Sequence, residues 1–440
     1  MTIRSFPGVF ILVLLSPLFS MGQQILYTHH TTGTLKDFSA VRLGDSLLFS
    51  FKDLPIESRR AKHELWIADS TAHPTDPVDA DVFTAARSGN DVYLYFFEGK
   101  SGSRKLKAWI CNETAKTRVE SATGIELPGN IIGNYVDKNL FFILLSETGR
   151  ELSLVEINGM TVVSQKRITL PQAIAPGIAV QPADFYTDAS EENTFHGRAQ
   201  VKVFKYEKLY VSYDLGSRTY VMTLDPQTGA TDLKSFLASS EATDFRSFVI
   251  DGKVFRVLQS RKKFQLDIFD LATGNALGKS ELTATPDFKI YFRYGRKNVI
   301  HHKEKFSAMM KVGSVSDPML TVLKRDGQYI VQWGNYFDEK GTMAGGASPA
   351  GMITMIVGTA ILQLMEGPGV NRYFYYAWNE QQNSFQRLDP PLALVRDAID
   401  CYEIDHVIRF EDKRYIAYRD GIAALYYDSS ARTVSVVYFH

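Results

Sequence analysis

The fold is decided by two matching stretches, Asp45-Ser-Leu-Leu-Phe-Ser-Phe51 and Asp91-Val-Tyr-Leu-Tyr-Phe-Phe97, which begin 46 residues apart. Each leads to a Trp motif, Trp66-Ile-Ala-Asp69 after the first and Trp109-Ile-Cys-Asn112 after the second. A third stretch, Asp137-Lys-Asn-Leu-Phe-Phe-Ile-Leu-Leu145, begins 46 residues after the second. Alternating apolar residues between turn residues are typical of β-strands. The sequence therefore predicts a repeated unit made of strands.

The same template recurs in looser form to the end of the chain. Strand ends mark eight units, at residues 69, 112, 158, 225, 270, 325, 379 and 428. Their mean spacing of about 51 residues is typical of propeller blades, and each unit has room for four short strands. The chain resembles the β-propeller superfamily in architecture, which implies an all-β fold of seven or eight four-stranded antiparallel blades. The kelch and WD40 sequence motifs are both missing, so the resemblance indicates no named family.

The N-terminus has the anatomy of a secretory signal. Arg4 precedes an apolar stretch, and the small residues Ser20 and Gly22 come just before Gln23. This pattern predicts a signal peptide over residues 1–22, cleaved near Gly22/Gln23. A Gln after the cleavage site resembles the signal peptides of the Bacteroidetes, which implies a periplasmic or extracellular protein. Residues 23–440 are then expected to form a single β-propeller domain.

Composition excludes several classes of protein. The 49 basic and 49 acidic residues leave a net charge of zero, whereas a nucleic-acid binder needs a basic surface. The second apolar run, 352–365, is shorter than the ~20 residues of a membrane-spanning helix, and we interpret it as two buried strands with a bend at Gly358. We expect a monomer that binds no nucleic acid and does not span a membrane.

Three segments are longer than the repeat requires, and we expect loop insertions near residues 170–200, 335–350 and 388–406. Insertions in repeat proteins often form the binding face. The first two insertions supply the candidate ligand-binding residues, which are Asp184, Tyr186, Asp188, Glu191, Phe195, His196, Tyr336 and Phe337. Carboxylates beside aromatic rings could bind a sugar, a cation or a basic peptide. The competing interpretation is a solvated acidic loop whose rings pack against the rim.

No motif of a known catalytic or metal site survives inspection. The segment 274–280 resembles a phosphate-binding loop but is one residue short and lies between two predicted strands. The pairs His29-His30 and His301-His302 cannot chelate one ion from a strand, because adjacent side chains point to opposite faces. We therefore predict no catalytic residue, metal ion or cofactor. Cys111 and Cys401 fall on units that are not neighbours, so we predict two buried free thiols.

These observations favour a non-enzymatic module that binds a protein or glycan ligand, a step that rests on analogy at the level of the fold. The alternative is a propeller-fold carbohydrate hydrolase or lyase with paired carboxylates about 5–10 Å apart in the central funnel. A third possibility is a component of an envelope assembly, which would expose a large apolar patch.

Overall fold

The structure is a computed structural model in which most of the described residues belong to strands. It describes residues 23–30, 33–43, 46–55, 62–68, 72–74, 82–99, 104–112, 117–175, 183–187, 200–237, 244–259, 263–283, 290–294, 297–302, 317–325, 327–336, 370–388, 395, 398–399, 402, 410–418, 421–428 and 431–440. The prediction of an all-β chain is confirmed. No helix in this part of the chain is long and apolar enough to span a membrane.

After a first strand, β1 (Gln23–His30), six blades are each built from one contiguous stretch of chain. Blade 1 contains β2 (Gly33–Leu43), β3 (Ser46–Pro55), β4 (Lys62–Ala68) and β5 (Ala72–Pro74). Blade 2 contains β6 (Thr84–Ser88), β7 (Asp91–Glu98), β8 (Lys105–Asn112), β9 (Thr117–Glu120) and β10 (Ile125–Glu126). Blade 3 contains β11 (Asn130–Asp137), β12 (Asn139–Leu145), β13 (Glu151–Asn158) and β14 (Thr161–Thr169).

The second half of the ring follows the same plan with larger sheets. Blade 4 contains β15 (Ala183–Thr187), β16 (Val201–Lys205), β17 (Leu209–Leu215), β18 (Arg218–Leu224) and β19 (Thr231–Leu237). Blade 5 contains β20 (Asp244–Ile250), β21 (Lys253–Gln259), β22 (Lys263–Asp270) and β23 (Ala276–Thr283). Blade 6 contains β24 (Ile290–Tyr294), β25 (Lys297–His302), β26 (Asp317–Arg325), β27 (Gln328–Tyr336), β28 (Val370–Asn379) and β29 (Ser384–Leu388).

The two ends of the described chain meet in one further sheet, which we call the closing sheet. It contains β30 (Phe410–Tyr418), β31 (Gly421–Asp428) and β32 (Thr433–Phe439), and β1 adds to its outer edge. The β1–β32 pair is antiparallel, with Gln23 opposite Phe439 and His30 opposite Thr433. A strand from the beginning of the chain thus completes the sheet formed at its end.

Neighbouring sheets contact each other mainly through their inner strands, as in a β-propeller. The closing sheet contacts blade 1 through β30 and β2, and the following contacts run through β2 and β6, β6 and β12, β11 and β15, β17 and β20, and β20 and β26. A lone sheet of this size cannot bury both of its faces, and buried apolar clusters join blades 3 and 4 and blades 4, 5 and 6. The β-propeller architecture is confirmed.

The prediction of seven or eight four-stranded antiparallel blades is wrong. Six blades are contiguous in sequence, and only blades 1, 3 and 5 among them have four strands in the described residues. The predicted units ending at residues 325 and 379 belong to one sheet, because β26, β27 and β28 are hydrogen-bonded neighbours. The long connection 337–369 separates β27 from β28 in sequence, so this single blade has the sequence pattern of two repeats. One strand pair, β15 with β16, is parallel.

Strand β15 is the main departure from a regular blade. It lies inside β16, the innermost regular strand of blade 4, with Ala183 opposite Val201. A Cβ atom on Gly133 of blade 3 would lie 2.5 Å from the ring of Phe185, so only glycine leaves room for this ring. On the other side, Tyr186 stacks on Phe204 at 5.0 Å between ring centroids. The inserted chain therefore contributes a strand that packs towards the centre of the ring.

Candidate functional site

The ring has two different ends, which follow from the direction of its strands. In a β-propeller the first regular strands of all sheets run the same way around the ring, and β15 runs parallel to β16. These first regular strands are β2, β6, β11, β16, β20, β26 and β30. We call the end at which they begin the start face and the other end the turn face. On the turn face the chain reverses in tight hairpins, such as residues 89–90 and 251–252, with positive φ angles at Gly89 and Gly252.

The long connections of the chain are associated with the start face. Segments 170–182, 337–369 and 389–409 lead into β15, β28 and β30, each of which begins there. Segment 188–199 joins the end of β15 at the turn face to the beginning of β16 at the start face. In propellers and other repeat proteins, the face that receives the inserted loops is often the binding face.

A row of exposed side chains lies at the start face of blade 4. Arg218 pairs with Leu215 on one neighbouring strand and with Leu237 on the other. Leu215 is 43% exposed and Leu237 is 60% exposed, and Arg218 is exposed between them. The row combines two apolar side chains with one positive charge. Sequence reasoning missed it, although the hairpin turn Leu215–Arg218 was a visible signal.

The structure describes the side chain of only one predicted ligand-binding residue, Tyr186. Its ring is 1% exposed and also meets Phe248 edge-on at 5.2 Å, so it belongs to the core between blades 4 and 5. The structure describes only the backbone of two others, which are Asp184 in β15 and Tyr336 at the end of β27. The remaining five lie outside the described residues: Asp188, Glu191, Phe195, His196 and Phe337.

The junction between blades 4 and 5 buries an unusual set of polar groups. Lys202 is 0% exposed, and its Nζ lies 3.7 Å from Oδ2 of Asp214. The other carboxylate oxygen of Asp214 accepts a hydrogen bond from Oγ1 of Thr219 at 2.8 Å. Oδ2 accepts another at 2.9 Å from the backbone N–H of Ser247 in blade 5. The carboxylate therefore joins β17 of blade 4 to β20 of blade 5.

A second buried ion pair lies on the blade 5 side of the same junction. Nη2 of Arg256 is 3.1 Å from Oδ2 of Asp267, and it also donates to the carbonyl of Leu237. Nη1 donates to the carbonyl of Phe236 at 2.8 Å, so one guanidinium holds the last strand of blade 4. Gln265 donates to the other oxygen of Asp267 at 2.7 Å. These charged groups connect blade 4 to blade 5, and they are buried from solvent.

On the turn face a smaller network links blades 5 and 6. Asp251 accepts hydrogen bonds from Nζ of Lys324 at 2.6 Å and from the hydroxyl of Tyr329 at 3.0 Å. Burial opposes ionisation of the Asp251 carboxyl, but these hydrogen bonds outweigh it and hold its pKa below the usual value. Burial, followed by the bond to Asp251, raises the pKa of Tyr329.

The described residues contain no group of three or more His, Cys, Asp or Glu side chains that could hold a metal ion. Cys111 is a free thiol, as predicted, but it is only partly buried, and burial raises its pKa. Its predicted counterpart, Cys401, lies outside the described residues, as does the apolar run 352–365.

No protein-family model matches the chain, and no curated protein matches it in sequence. Among solved structures, the β-propeller domain of the trilobed protease from Pyrococcus furiosus is similar over 93% of this chain and 94% of its own, with 9% identity and a TM-score of 0.38. The WD40 domain of SCAP from fission yeast is similar over 95% and 97%, with 8% identity and a TM-score of 0.36.

The GH43_1 enzyme from Xanthomonas citri is similar over 60% of this chain and 91% of its own, with 11% identity and a TM-score of 0.26. These similarities include both enzymes and a WD40 domain, and at such low scores they say nothing about activity. The assignment of the chain to the β-propeller architecture rests on its own sheet topology.

Proposed function

We propose that the chain is a secreted or periplasmic β-propeller that acts as a non-enzymatic binding module, with a protein or glycan ligand held at the start face. The observation that carries this proposal is the association of the long connections 170–182, 337–369 and 389–409 with that one face. Binding residues are commonly found on loops held by a rigid scaffold. The buried charges of blades 4 and 5 are occupied by contacts between blades, which supports a structural role for them.

The exposed row Leu215, Arg218 and Leu237 supplies described side chains to this face. Apolar groups around one guanidinium suit a ligand that offers an apolar or pyranose surface together with a carboxylate or hydroxyl acceptor. The predicted residues Asp188, Glu191, Phe195, His196, Tyr336 and Phe337 are the further candidates on the inserted segments. Tyr186 is a scaffold residue in this proposal, and Asp184 stays a candidate.

The test is a glycan and peptide array probed with residues 23–440, followed by affinity measurements on the ligand found. The double variant Leu215→Ser/Leu237→Ser should weaken binding at least about tenfold, because each apolar group removed from a buried contact costs roughly 1 kcal/mol or more. Val119→Ser is the matched control, since this side chain is 57% exposed on strand β9 of blade 2. Equal affinities for the double variant and the wild type would contradict the proposal.

Alanine variants at Asp188, Glu191, Phe195 and His196 test the predicted residues separately. Deleting residues 184–196 as a block is unsuitable, because it would remove Tyr186 from the core. Cleavage of an array glycan by the mature protein would favour the hydrolase or lyase alternative instead. Stable co-purification with envelope proteins would favour a role in an assembly.

The location is tested by expressing the full chain in a Gram-negative host. N-terminal sequencing of the exported protein should begin at Gln23, which is also the first residue of β1. A cut at this site leaves the pairing of β1 with β32 intact. Retention of the unprocessed chain in the cytoplasm would contradict the proposed location.

A further inference from the structure

The junction between blades 4 and 5 contains two buried hydroxyl groups that make no hydrogen bond to the residues that the structure describes. The side chains of Ser212 and Ser247 are both 0% exposed. Neither Oγ atom makes a hydrogen bond to any atom in the part of the chain that the structure describes. A buried hydroxyl without a hydrogen bond is costly, so such groups are normally satisfied by protein or by ordered water.

The two hydroxyls lie beside the buried pair of Lys202 and Asp214. Ser212 is directly opposite Lys202 in the β16–β17 pair and two residues before Asp214, so the three side chains share one face of blade 4. Ser247 approaches from blade 5, where its N–H donates to Oδ2 of Asp214 at 2.9 Å. Its own Oγ is within roughly 4 Å of that nitrogen by covalent geometry. All four residues are therefore neighbours at this junction.

The ion pair of Lys202 and Asp214 is not a direct hydrogen bond. Nζ of Lys202 lies 3.7 Å from Oδ2 of Asp214, which is longer than a direct hydrogen bond. A polar contact at this separation is commonly bridged by water.

The charges at this junction select the kind of molecule that fits. A cation would face the ammonium group of Lys202, and an anion would face the carboxylate of Asp214. An apolar molecule would leave the hydroxyls of Ser212 and Ser247 unsatisfied. A water molecule both donates and accepts, and buried waters typically make two to four hydrogen bonds to such groups.

We propose that blades 4 and 5 enclose a binding site for a single water molecule, formed by Lys202, Ser212, Asp214 and Ser247. The water accepts a hydrogen bond from Nζ of Lys202 and donates one to Oδ2 of Asp214. Its remaining donor and acceptor positions serve the two serine hydroxyls. Through this molecule the ion pair of blade 4 is connected to both side chain and backbone of blade 5.

The test is a high-resolution crystal structure of residues 23–440, combined with water-oxygen magnetic relaxation dispersion in solution. The expected result is a density peak within hydrogen-bond distance of Nζ of Lys202 and both Oγ atoms. The double variant Ser212→Ala/Ser247→Ala should lose this peak and one long-lived water from the dispersion signal. Ser153→Ala is the control, since Ser153 is a buried serine in blade 3, and it should keep both.

Two results would overturn the proposal. One is direct contact of a serine Oγ with Lys202 or Asp214 and no density between them. The other is a peak that gains anomalous signal when the crystal is grown with bromide or rubidium, because an ion would then occupy the site. If the double variant fails to fold, the wild-type structure and its dispersion signal still decide between these outcomes.

Discussion

Blade 4 meets its two neighbours in different ways. Towards blade 3 it presents a mainly apolar surface, in which Leu209 and Val211 of blade 4 belong to the same cluster as Leu154 and Ile168 of blade 3. Towards blade 5 it adds buried charges to an apolar cluster, with Asp214 accepting hydrogen bonds from both blades. Apolar contacts are non-directional, whereas hydrogen-bonded charges fix the position of their partners.

The two junctions of blade 4 should therefore tolerate substitutions to different degrees. At the apolar junction, the free energy of unfolding lost when a side chain is truncated depends on the buried apolar area removed and on the volume of the cavity left behind. At the polar junction, removal of one charged partner leaves the other buried without a counterion. Replacement of both partners by apolar groups can be nearly neutral for stability. We expect the polar junction to define how blades 4 and 5 sit together and the apolar junction to supply stability through burial.

The largest effect is expected from Asp214→Ala. It leaves Lys202 without its counterion and removes the acceptor for Thr219 and Ser247. The free energy of unfolding should fall by about 3–5 kcal/mol, measured by urea denaturation. The double variant Lys202→Met/Asp214→Leu should recover much of this loss.

The matched experiment at the apolar junction uses Leu209→Ala and Leu154→Ala, which should each cost about 2–5 kcal/mol. Their double variant should show no recovery, because two cavities do not compensate for each other. If the charged pair also showed no recovery, the distinction between the two junctions would be lost.

A smaller effect is expected where β15 meets blade 3. In Gly133→Ala, the new Cβ would lie 2.5 Å from Cδ2 and 2.9 Å from Cγ of Phe185. Such overpacking should cost about 1–3 kcal/mol of unfolding free energy. Adding Phe185→Leu should relieve the clash and restore part of the loss. Full stability of Gly133→Ala alone would show that β15 does not pack here as described.

The smallest effect concerns Asp251 on the turn face. Its pKa is lower in the folded protein, so its contribution to stability is present above the unfolded pKa of about 3.9 and disappears as pH falls through the lowered native value. Asp251→Asn should cost only about 0.2–1 kcal/mol at pH 7, because Lys324 is half exposed. Asn suits the positive φ of 49° at this position.

The measurement for Asp251 is urea denaturation of the wild type and Asp251→Asn at pH 7 and at pH 3. The difference in unfolding free energy between the two proteins should shrink at the lower pH. If this difference were the same at both pH values, ionisation of Asp251 would not contribute to the pH dependence of stability, and the prediction would be wrong.

The sequence was sufficient to predict strands, turns and a propeller, because alternation and turn residues are local signals. It misled on the number and size of the blades, because hydrogen bonding between β27 and β28 spans the long connection 337–369. It also identified the insertion after β14, but the role of Tyr186 depends on Phe204 and Phe248, which are distant in sequence.

The candidate site was less predictable than the fold. Exposure of Leu215 and Leu237 depends on where their strands end relative to the ring, which no local pattern reveals. Lys202, the second residue of the strand Val201–Lys205, was a visible signal of a buried charge, since lysine is rarely placed among buried apolar residues without a partner. Its partner Asp214 could be found only from the register of β16 and β17.

The proposed binding face is tested most directly by hydrogen–deuterium exchange of residues 23–440 with and without the ligand found on the array. We expect slower exchange at the start face, in peptides containing residues 215–218 and Leu237, when the ligand is bound. Protection confined to turn-face hairpins, such as residues 89–90 and 251–252, would contradict the proposed binding face.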